Sequence, residues 1–367
     1  MNKTLIVIPT YNEKENISNL IATIRRQKVQ ADVLVVDDNS PDQTGKIVET
    51  LRRTDKSLFA LHRKKKNGLG RAYAAGFKWG LGHGYTKMIS MDADFSHPVD
   101  VLPKLIEICN PKTVAIGSRY VKGGKIEGWA FNRYLNSYCA NFVTRIMLGI
   151  KAKDVTAGFK CYPAEFLISI DLENIKSGGY AFQPEMLLLA QDRNFVLAET
   201  PITFVDRQAG KSKIKGELLR SSKIIFRIAL SRKGMRQFIK FGIVGFINAG
   251  IDWAIFFILK LILPGILGFL NPQQLKQLAK AVSFIVSALS SYAMNRRWTF
   301  RSTRKDVGRE AFKFFVVATG GFVINNAAFY LITAIVGWND VWGLLAASGA
   351  ATFWNFFLNK KWTFKGL

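Results

Sequence analysis

Over the first two hundred residues, short apolar runs alternate with longer stretches whose apolar positions recur every three or four residues. The runs predict strands at Thr4–Pro9, Asp32–Asp37, Ser57–His62, Lys87–Met91 and Thr113–Ser118. The stretches predict helices at Glu13–Gln27, Thr44–Arg53 and Leu69–Leu81. This alternation predicts an α/β domain with a mostly parallel, doubly wound sheet. Such sheets bind ligands beyond the carboxyl ends of their strands. Three predicted strands end there in polar residues: Pro9-Thr10-Tyr11-Asn12-Glu13, Asp37-Asp38-Asn39-Ser40 and Asp92-Ala93-Asp94.

From Phe238 onward the pattern changes to long apolar segments, at Phe238–Lys260, Leu278–Met294, Phe312–Val336 and Val341–Leu358. Each is long enough, or nearly so, to cross a hydrocarbon core of about 30 Å as a helix. The segments repeat in pairs. Arg236-Gln237-Phe238-Ile239-Lys240-Phe241 opens the first, and Arg309-Glu310-Ala311-Phe312-Lys313-Phe314 opens the third. Asn295-Arg296-Arg297-Trp298-Thr299-Phe300 closes the second, and Asn359-Lys360-Lys361-Trp362-Thr363-Phe364 closes the fourth. Two tandem hairpins, parallel rather than inverted, are expected. Gly216–Met235, with Arg220, Lys223 and Arg227 on one face, predicts an amphipathic helix lying on a membrane surface. The expected domains are therefore 1–215, a 216–235 interfacial segment, and a four-helix transmembrane domain over 236–367.

Charge orients this plan. The formal net charge is +26, and much of it flanks the apolar segments. Together with the lack of an aromatic-basic RNA module, that points to a membrane surface rather than nucleic acid. Basic residues cluster before the first segment, between the second and third, and after the fourth. The positive-inside rule then puts both termini and the first half in the cytoplasm, with Trp298 and Trp362 at the interface. The chain opens directly on an apolar strand, and no export segment is expected. Cys109, Cys139 and Cys161 have neither metal-site nor disulfide-framework spacing.

The strongest chemical signal is Asp92-Ala93-Asp94 at a strand end. Two carboxylates one residue apart can share a hard divalent cation, Mg²⁺ or Mn²⁺, that neutralises a diphosphate leaving group. Tyr11 is a candidate to border a base, and Glu13 and Asp38 to accept from a ribose or base. The plainer readings are a helix start for Asn12-Glu13 and a turn for Asn39-Ser40-Pro41.

The set Val7 to Glu13, Val35-Val36-Asp37-Asp38-Asn39-Ser40 and Asp92-Ala93-Asp94 resembles the family 2 glycosyltransferases of the GT-A (Rossmann-like) fold, over roughly residues 3–215. Asp92-Ala93-Asp94-Phe95-Ser96-His97-Pro98 resembles the polyprenol (dolichol) phosphate mannose synthases, and the C-terminal half the GtrA-like membrane modules. This resemblance implies that Pro9, Tyr11, Glu13, Val36 and Asp38 hold the guanosine of GDP-mannose, and that Asp92, Ala93 and Asp94 hold its diphosphate and metal. Arg207-Gln208-Ala209-Gly210-Lys211-Ser212-Lys213 matches the family's mobile loop, with Arg207 and Lys213 on phosphate. Gly68-Leu69-Gly70-Arg71 is a weaker match to a loop near the donor phosphates.

Arg119, at a strand end, and Arg133 and Ser137, four apart on one helix face, are candidates to grip the phosphate monoester of a polyprenyl or dolichyl phosphate. Structural salt bridges are the alternative for both arginines. A lipid monophosphate, with a second pKa of about 6 by analogy, needs no general base. In-line attack with inversion and release of GDP is expected, with Asp94 and Arg119 as the catalytic pair. Glu185 is expected to be structural or positioning. UDP-glucose-dependent glucosyl transfer is the rival; a flippase with a regulatory soluble half is another. A processive synthase lacks its Gln-x-x-Arg-Trp motif here. Asp252 lies mid-way along the first membrane segment and Asn325 at the matching place in the repeat, with interhelical hydrogen bonding as the plain reading. Oligomeric state is not legible.

Overall fold

The computed structural model describes residues 3–175, 177, 179–206, 217–337 and 339–364. It divides into two compact units, Met1–Leu230 and Ser231–Leu367.

In the first unit, β1 (Thr4–Thr10), α1 (Ile17–Arg26), β2 (Ala31–Asp37), α2 (Thr44–Arg52), β3 (Leu58–His62), α3 (Leu69–Gly82) and β4 (Lys87–Ser90) follow the predicted alternation closely. Helix α1 starts four residues later than Glu13, because Asn12 adopts a left-handed conformation at φ 60° and the next residues turn. Then come α4 (Leu102–Ile108), β5 (Thr113–Ser118), β6 (Lys125–Glu127), α5 (Phe131–Leu148), β7 (Lys160–Pro163), α6 (Ala164–Ile168), α7 (Phe182–Asp192), β8 (Val196–Pro201), β9 (Thr203–Val205) and α8 (Glu217–Ser231).

The main sheet runs β3-β2-β1-β4-β7-β5-β8, and β6 pairs with β9 apart from it. All neighbours in the main sheet are parallel except β7, which lies antiparallel between β4 and β5. Register brings strand ends level: Pro9 faces Val36, Thr10 faces Asp37, and Val7 faces Ser90. Ile6, Ile8, Val33, Val35 and Ile89 are fully buried in the core beneath. Each such side chain contributes about 1.5–3 kcal/mol.

The second unit holds α9 (Lys233–Ile266), α10 (Pro272–Met294), α11 (Val307–Tyr330) and α12 (Asp340–Leu358). Helix α9 packs on α10 and α11 on α12, as two hairpins. The expected interfacial segment is broken at Arg232, which is extended and caps α9. Among the described residues, three helical stretches are long and apolar enough to cross a membrane: Lys233–Ile266, Val307–Ile335 and Asp340–Thr363, at mean hydropathies of 1.9, 1.6 and 1.3. Helix α10, expected as the second span, falls short. Its first turns carry Gln273, Gln274, Lys276, Gln277 and Lys280, and serines follow. At Asp252 the plain reading, interhelical hydrogen bonding, is what the structure has: Lys280 Nζ on α10 donates to Asp252 Oδ2 at 2.5 Å and Ser283 Oγ to Oδ1 at 2.7 Å.

Candidate active site

The loops after β1 and β2 are stitched together by side chains. Thr10 Oγ1 donates to Asp37 Oδ1 at 3.0 Å, and Ser40 donates through N to Oδ2 (3.1 Å) and through Oγ to Oδ1 (2.5 Å). The Asn12 N–H donates to Ser40 Oγ at 3.1 Å and the Glu13 N–H to Thr44 Oγ1 at 3.0 Å. Asp37 is thus a structural clamp. Its neighbour Asp38 is nearly buried and accepts from Arg63 Nη1 at 2.7 Å. Burial raises the Asp38 pKa despite Arg63. Lys66 Nζ lies 4.2 Å from the centre of the Tyr11 ring. Glu13 Oε2 accepts from Asn16 Nδ2 at 3.0 Å. Of the expected nucleoside residues, Pro9 and Val36 face each other across the β1–β2 pair, with Val36 fully buried.

Beyond β4, the two carboxylates are oriented rather than loose. Tyr73 OH donates to Asp92 Oδ1 at 2.7 Å, and the Tyr73 ring stacks on Phe182 at 5.9 Å. Burial raises the Tyr73 pKa well above its ordinary value, so it remains a donor. Ser96 donates to Asp94 Oδ1 through N (3.2 Å) and Oγ (2.6 Å). Phe95 takes φ 61° to make this turn, and Ala93 is buried beneath it. His97 is 3% exposed. Its Nδ1 accepts the Asp92 N–H at 3.0 Å, leaving the proton on Nε2, 3.9 Å from Asp92 Oδ2. Burial lowers the His97 pKa, so the ring is neutral near pH 7. Two hard carboxylates fit Mg²⁺ or Mn²⁺ better than a soft metal. Among the described residues no three or more His, Cys, Asp or Glu side chains are placed to hold a metal ion together. A cation here would need ligand oxygens or water to complete its shell.

On the other side, Arg119 is gripped by Asp154: Nε to Oδ2 and Nη2 to Oδ1, both at 2.8 Å, with Nη2 also on Thr156 Oγ1 at 2.7 Å. Both side chains are almost fully buried. Burial opposes both charges but each overcomes it for the other, so Arg119 lies above and Asp154 below its ordinary pKa. The Asp154–Gly158 turn carries this pair to the carboxylates. A Cβ on Gly158 would lie 3.0 Å from His97 Cε1 and 3.4 Å from Asp92 Oδ2, so the close approach needs glycine. Lys160, fully buried on β7, donates to the Ala157 carbonyl and, at 2.6 Å, to Gln183 Oε1. Burial pushes its pKa down to about 7.

Ser137 meets Tyr120 OH at 3.1 Å, and the Tyr120 ring lies 5.2 Å from the Arg119 guanidinium carbon. Arg133 pairs with Asp206 at 2.5 Å and stacks over Trp129 at 4.4 Å. Phe204 joins the two arms, 5.3 Å from Arg119 and 5.5 Å from Trp129. Both arginines are therefore in salt bridges, and the three acceptor candidates are linked through aromatic rings. Arg207 and Lys213 lie outside the described residues. A Cβ on Gly70 would lie 2.7 Å from Phe182 Cβ and from the Ser177 carbonyl oxygen, so this glycine is needed for packing, while Gly68 takes φ 90° ahead of α3. Glu185 is buried, and its Oε2 accepts from the Ser177 N–H at 3.0 Å.

Sequence reasoning missed Tyr73, Lys160 and Gln183, whose roles arise only from packing. It also missed the exposed stripe on α5: Phe131 (78%), Leu135 (46%), Tyr138 (46%) and Phe142 (48%). Their helical spacing was a usable signal.

Residues 5–170 match glycosyl transferase family 2, and residues 240–364 match the GtrA/DPMS transmembrane domain. The chain is 44% identical over 217 residues to an undecaprenyl-phosphate mannosyltransferase of Micrococcus luteus, covering 59% of this chain and 89% of that one. It is 41% identical over 229 residues to a polyprenol monophosphomannose synthase of Mycolicibacterium smegmatis, covering 62% and 86%. A dolichol-phosphate mannosyltransferase of Pyrococcus furiosus is 33% identical over 341 residues, covering 90% of both chains.

Proposed function

The chain belongs to the polyprenol-phosphate mannose synthases of glycosyltransferase family 2, joined to a GtrA-like transmembrane domain, and we propose that it transfers mannose from GDP-mannose to a polyprenyl or dolichyl monophosphate with inversion. One observation carries this reading. A single turn, Asp154–Gly158, holds Arg119 at one end and backs His97 and Asp92 at the other. That shared turn supports reading Arg119 as the cation for the acceptor phosphate and Asp92 with Asp94 as the pair directed at the diphosphate.

The acceptor phosphate oxygen forms the new bond to the anomeric carbon as the bond from that carbon to the GDP oxygen breaks. The electron pair leaves with GDP, and no proton need move, because the monophosphate is already ionised near neutral pH. Asp92 and Asp94 would hold Mg²⁺ or Mn²⁺, which supplies charge neutralisation to the departing diphosphate. Tyr73 and Ser96 aim the two carboxylates, and neutral His97 locks the Asp92 backbone. Arg119, with Arg133 and Ser137, would orient the acceptor phosphate; Asp154 and Thr156 hold its Nε and Nη2 and so fix the guanidinium plane rather than leaving that edge for the phosphate. Pro9, Tyr11, Glu13, Val36 and Asp38 would take the guanosine, with Arg207 and Lys213 on the donor phosphates. The apolar stripe of α5, on the helix that carries Arg133 and Ser137, would meet the prenyl chain and the bilayer. Helices α9, α11 and α12 would span, and the more polar α10 would cross packed against α9 as the return arm of its hairpin, with both termini on the catalytic, cytoplasmic side. The expected division into 1–215, 216–235 and 236–367 would hold with the interfacial helix ending at Ser231 and the membrane helices beginning at Lys233.

The test uses the purified full chain with labelled GDP-mannose or UDP-glucose, a polyprenyl phosphate and Mg²⁺ or Mn²⁺. Mannosyl lipid with an inverted anomeric centre is expected. Transfer from UDP-glucose alone would overturn the donor, and a retained anomeric centre would overturn the mechanism.

A further inference from the structure

The helical unit repeats its own packing about an internal two-fold. Exchange the hairpins, and three pairs of ring contacts among Phe241, Tyr292, Phe300, Phe314, Phe356 and Phe364 answer one another; Phe238–Phe356 has no counterpart, because Ala311 stands at the matching position. Phe241–Phe300 at 6.1 Å answers Phe314–Phe364 at 6.3 Å. Phe241–Phe356 at 5.8 Å answers Tyr292–Phe314 at 5.6 Å. Phe300–Phe356 at 6.0 Å answers Tyr292–Phe364 at 6.4 Å. Phe300 and Phe364 stack on each other at 4.6 Å, so the axis passes between them.

Each hairpin closes in a wide, π-helical turn, Asn295–Thr299 and Asn359–Thr363. The bonds that define the turns are the same: Phe300 N to Asn295 O and Phe364 N to Asn359 O, both 2.8 Å. Asn, Thr and Phe are buried in both, while Arg297-Trp298 and Lys361-Trp362 face outward. Asn295 Oδ1, Thr299 Oγ1, Asn359 Oδ1 and Thr363 Oγ1 have no partner among the described residues. Burying unpaired polar atoms is unfavourable, and it recurs here at matching positions. Single-turn π distortions of this kind occur frequently at functional sites.

Each turn presents a half-exposed tryptophan beneath a lysine. Lys240 Nζ lies 5.2 Å from the Trp298 ring centre, and Lys313 Nζ 5.3 Å from that of Trp362. The two tryptophan residues are 41% and 42% exposed. An ammonium over an indole, beside a second exposed cation, combines charge for a phosphate with a flat apolar face for what is attached to it. Free phosphate has no use for the ring. A phospholipid uses both, and an indole at the membrane interface sits at headgroup level.

We propose that Lys240–Trp298 and Lys313–Trp362 are two equivalent sites for an anionic phospholipid headgroup, distinct from the transferase site. Arg297 and Lys361 supply the second cation of each.

Native mass spectrometry of the full chain, titrated in detergent with phosphatidylglycerol or phosphatidylcholine, tests this. Two phosphatidylglycerols should bind saturably, and phosphatidylcholine at least about fivefold more weakly. Lys240→Gln or Trp298→Leu should each remove one bound lipid, Lys313→Gln the other, and the double lysine change both. Lys240→Arg should keep two, which separates loss of the site from loss of the fold. Phosphatidylglycerol binding that shows no saturation at two, or is unchanged in Lys240→Gln and Lys313→Gln, overturns the proposal. Full displacement by millimolar inorganic phosphate assigns the sites to free phosphate and overturns it too.

Discussion

The two units solve opposite solvent problems. In the first, apolar side chains are hidden under a sheet, and the charges that matter are drawn inward and paired: Asp38 with Arg63 and Asp154 with Arg119. In the second, large apolar side chains face outward, as at Phe246 (84% exposed) and Leu261 (81%). Its charges gather mainly at the helix ends, with Asp252 and Lys280 a paired exception. Outward apolar faces are stable only where lipid replaces water. The first unit owes its chemistry to contacts between residues far apart in sequence. The second owes its form to a local motif used twice. Function that depends on fine charge placement belongs to the first kind of construction, and anchoring and lipid contact to the second.

The sharpest way to break this contrast is to remove a charge from the first unit's rim. Asp94→Ala should lower turnover by about a thousandfold or more, as expected for loss of a group that stabilises charge only in the transition state. Turnover within tenfold of the unaltered protein would mean that the carboxylate pair does not handle the diphosphate. Next is Asp154→Ala, which strands Arg119 in a buried site. A loss of about 3–5 kcal/mol in chemical denaturation of the first unit is expected, with the melting of the helical unit unchanged. Equal loss in both units would erase the distinction between them.

A smaller effect is expected on α5. Leu135→Asp should raise KM for a long-chain polyprenyl phosphate by about tenfold, by loss of apolar contact. It should leave KM for a short, water-soluble acceptor unchanged; a rise for both would take α5 out of membrane contact. The smallest concerns Lys160. Its ordinary pKa is 10.5 and its folded value about 7. Between these the unfolded chain holds the proton and the folded chain does not, so stability rises with pH through that window. The melting temperature of the unaltered protein should therefore rise relative to that of Lys160→Met from pH 7 to about pH 10. A constant difference would mean that Lys160 stays charged when folded.

The rim is legible in the sequence because its polar residues follow immediately on apolar strands: Thr10 on β1, Asp37 on β2, Asp92 just past β4. Adjacency in sequence there becomes adjacency in space through parallel register. Membrane hairpins are legible for the same local reason, although α10 is too polar to match its neighbours. The proposed acceptor side is half legible. Arg119 stands out at a strand end, but its partner lies 35 residues on. Nothing local says that the two meet.

By itself the sequence determined the class of each half: a mostly parallel α/β sheet with a carboxylate pair at its rim, then a repeated, basic-ended set of apolar helices. Periodicity and strand-end chemistry are properties of neighbouring residues, so they are written into the chain itself. Only the tertiary structure decided that β7 runs backwards between β4 and β5, since four residues carrying a lysine show no period. That insertion brings Lys160 and the Asp154–Gly158 turn between the arginine and the carboxylates. It turns separate motifs into one support, because burial, not spacing, selects which distant charges are paired.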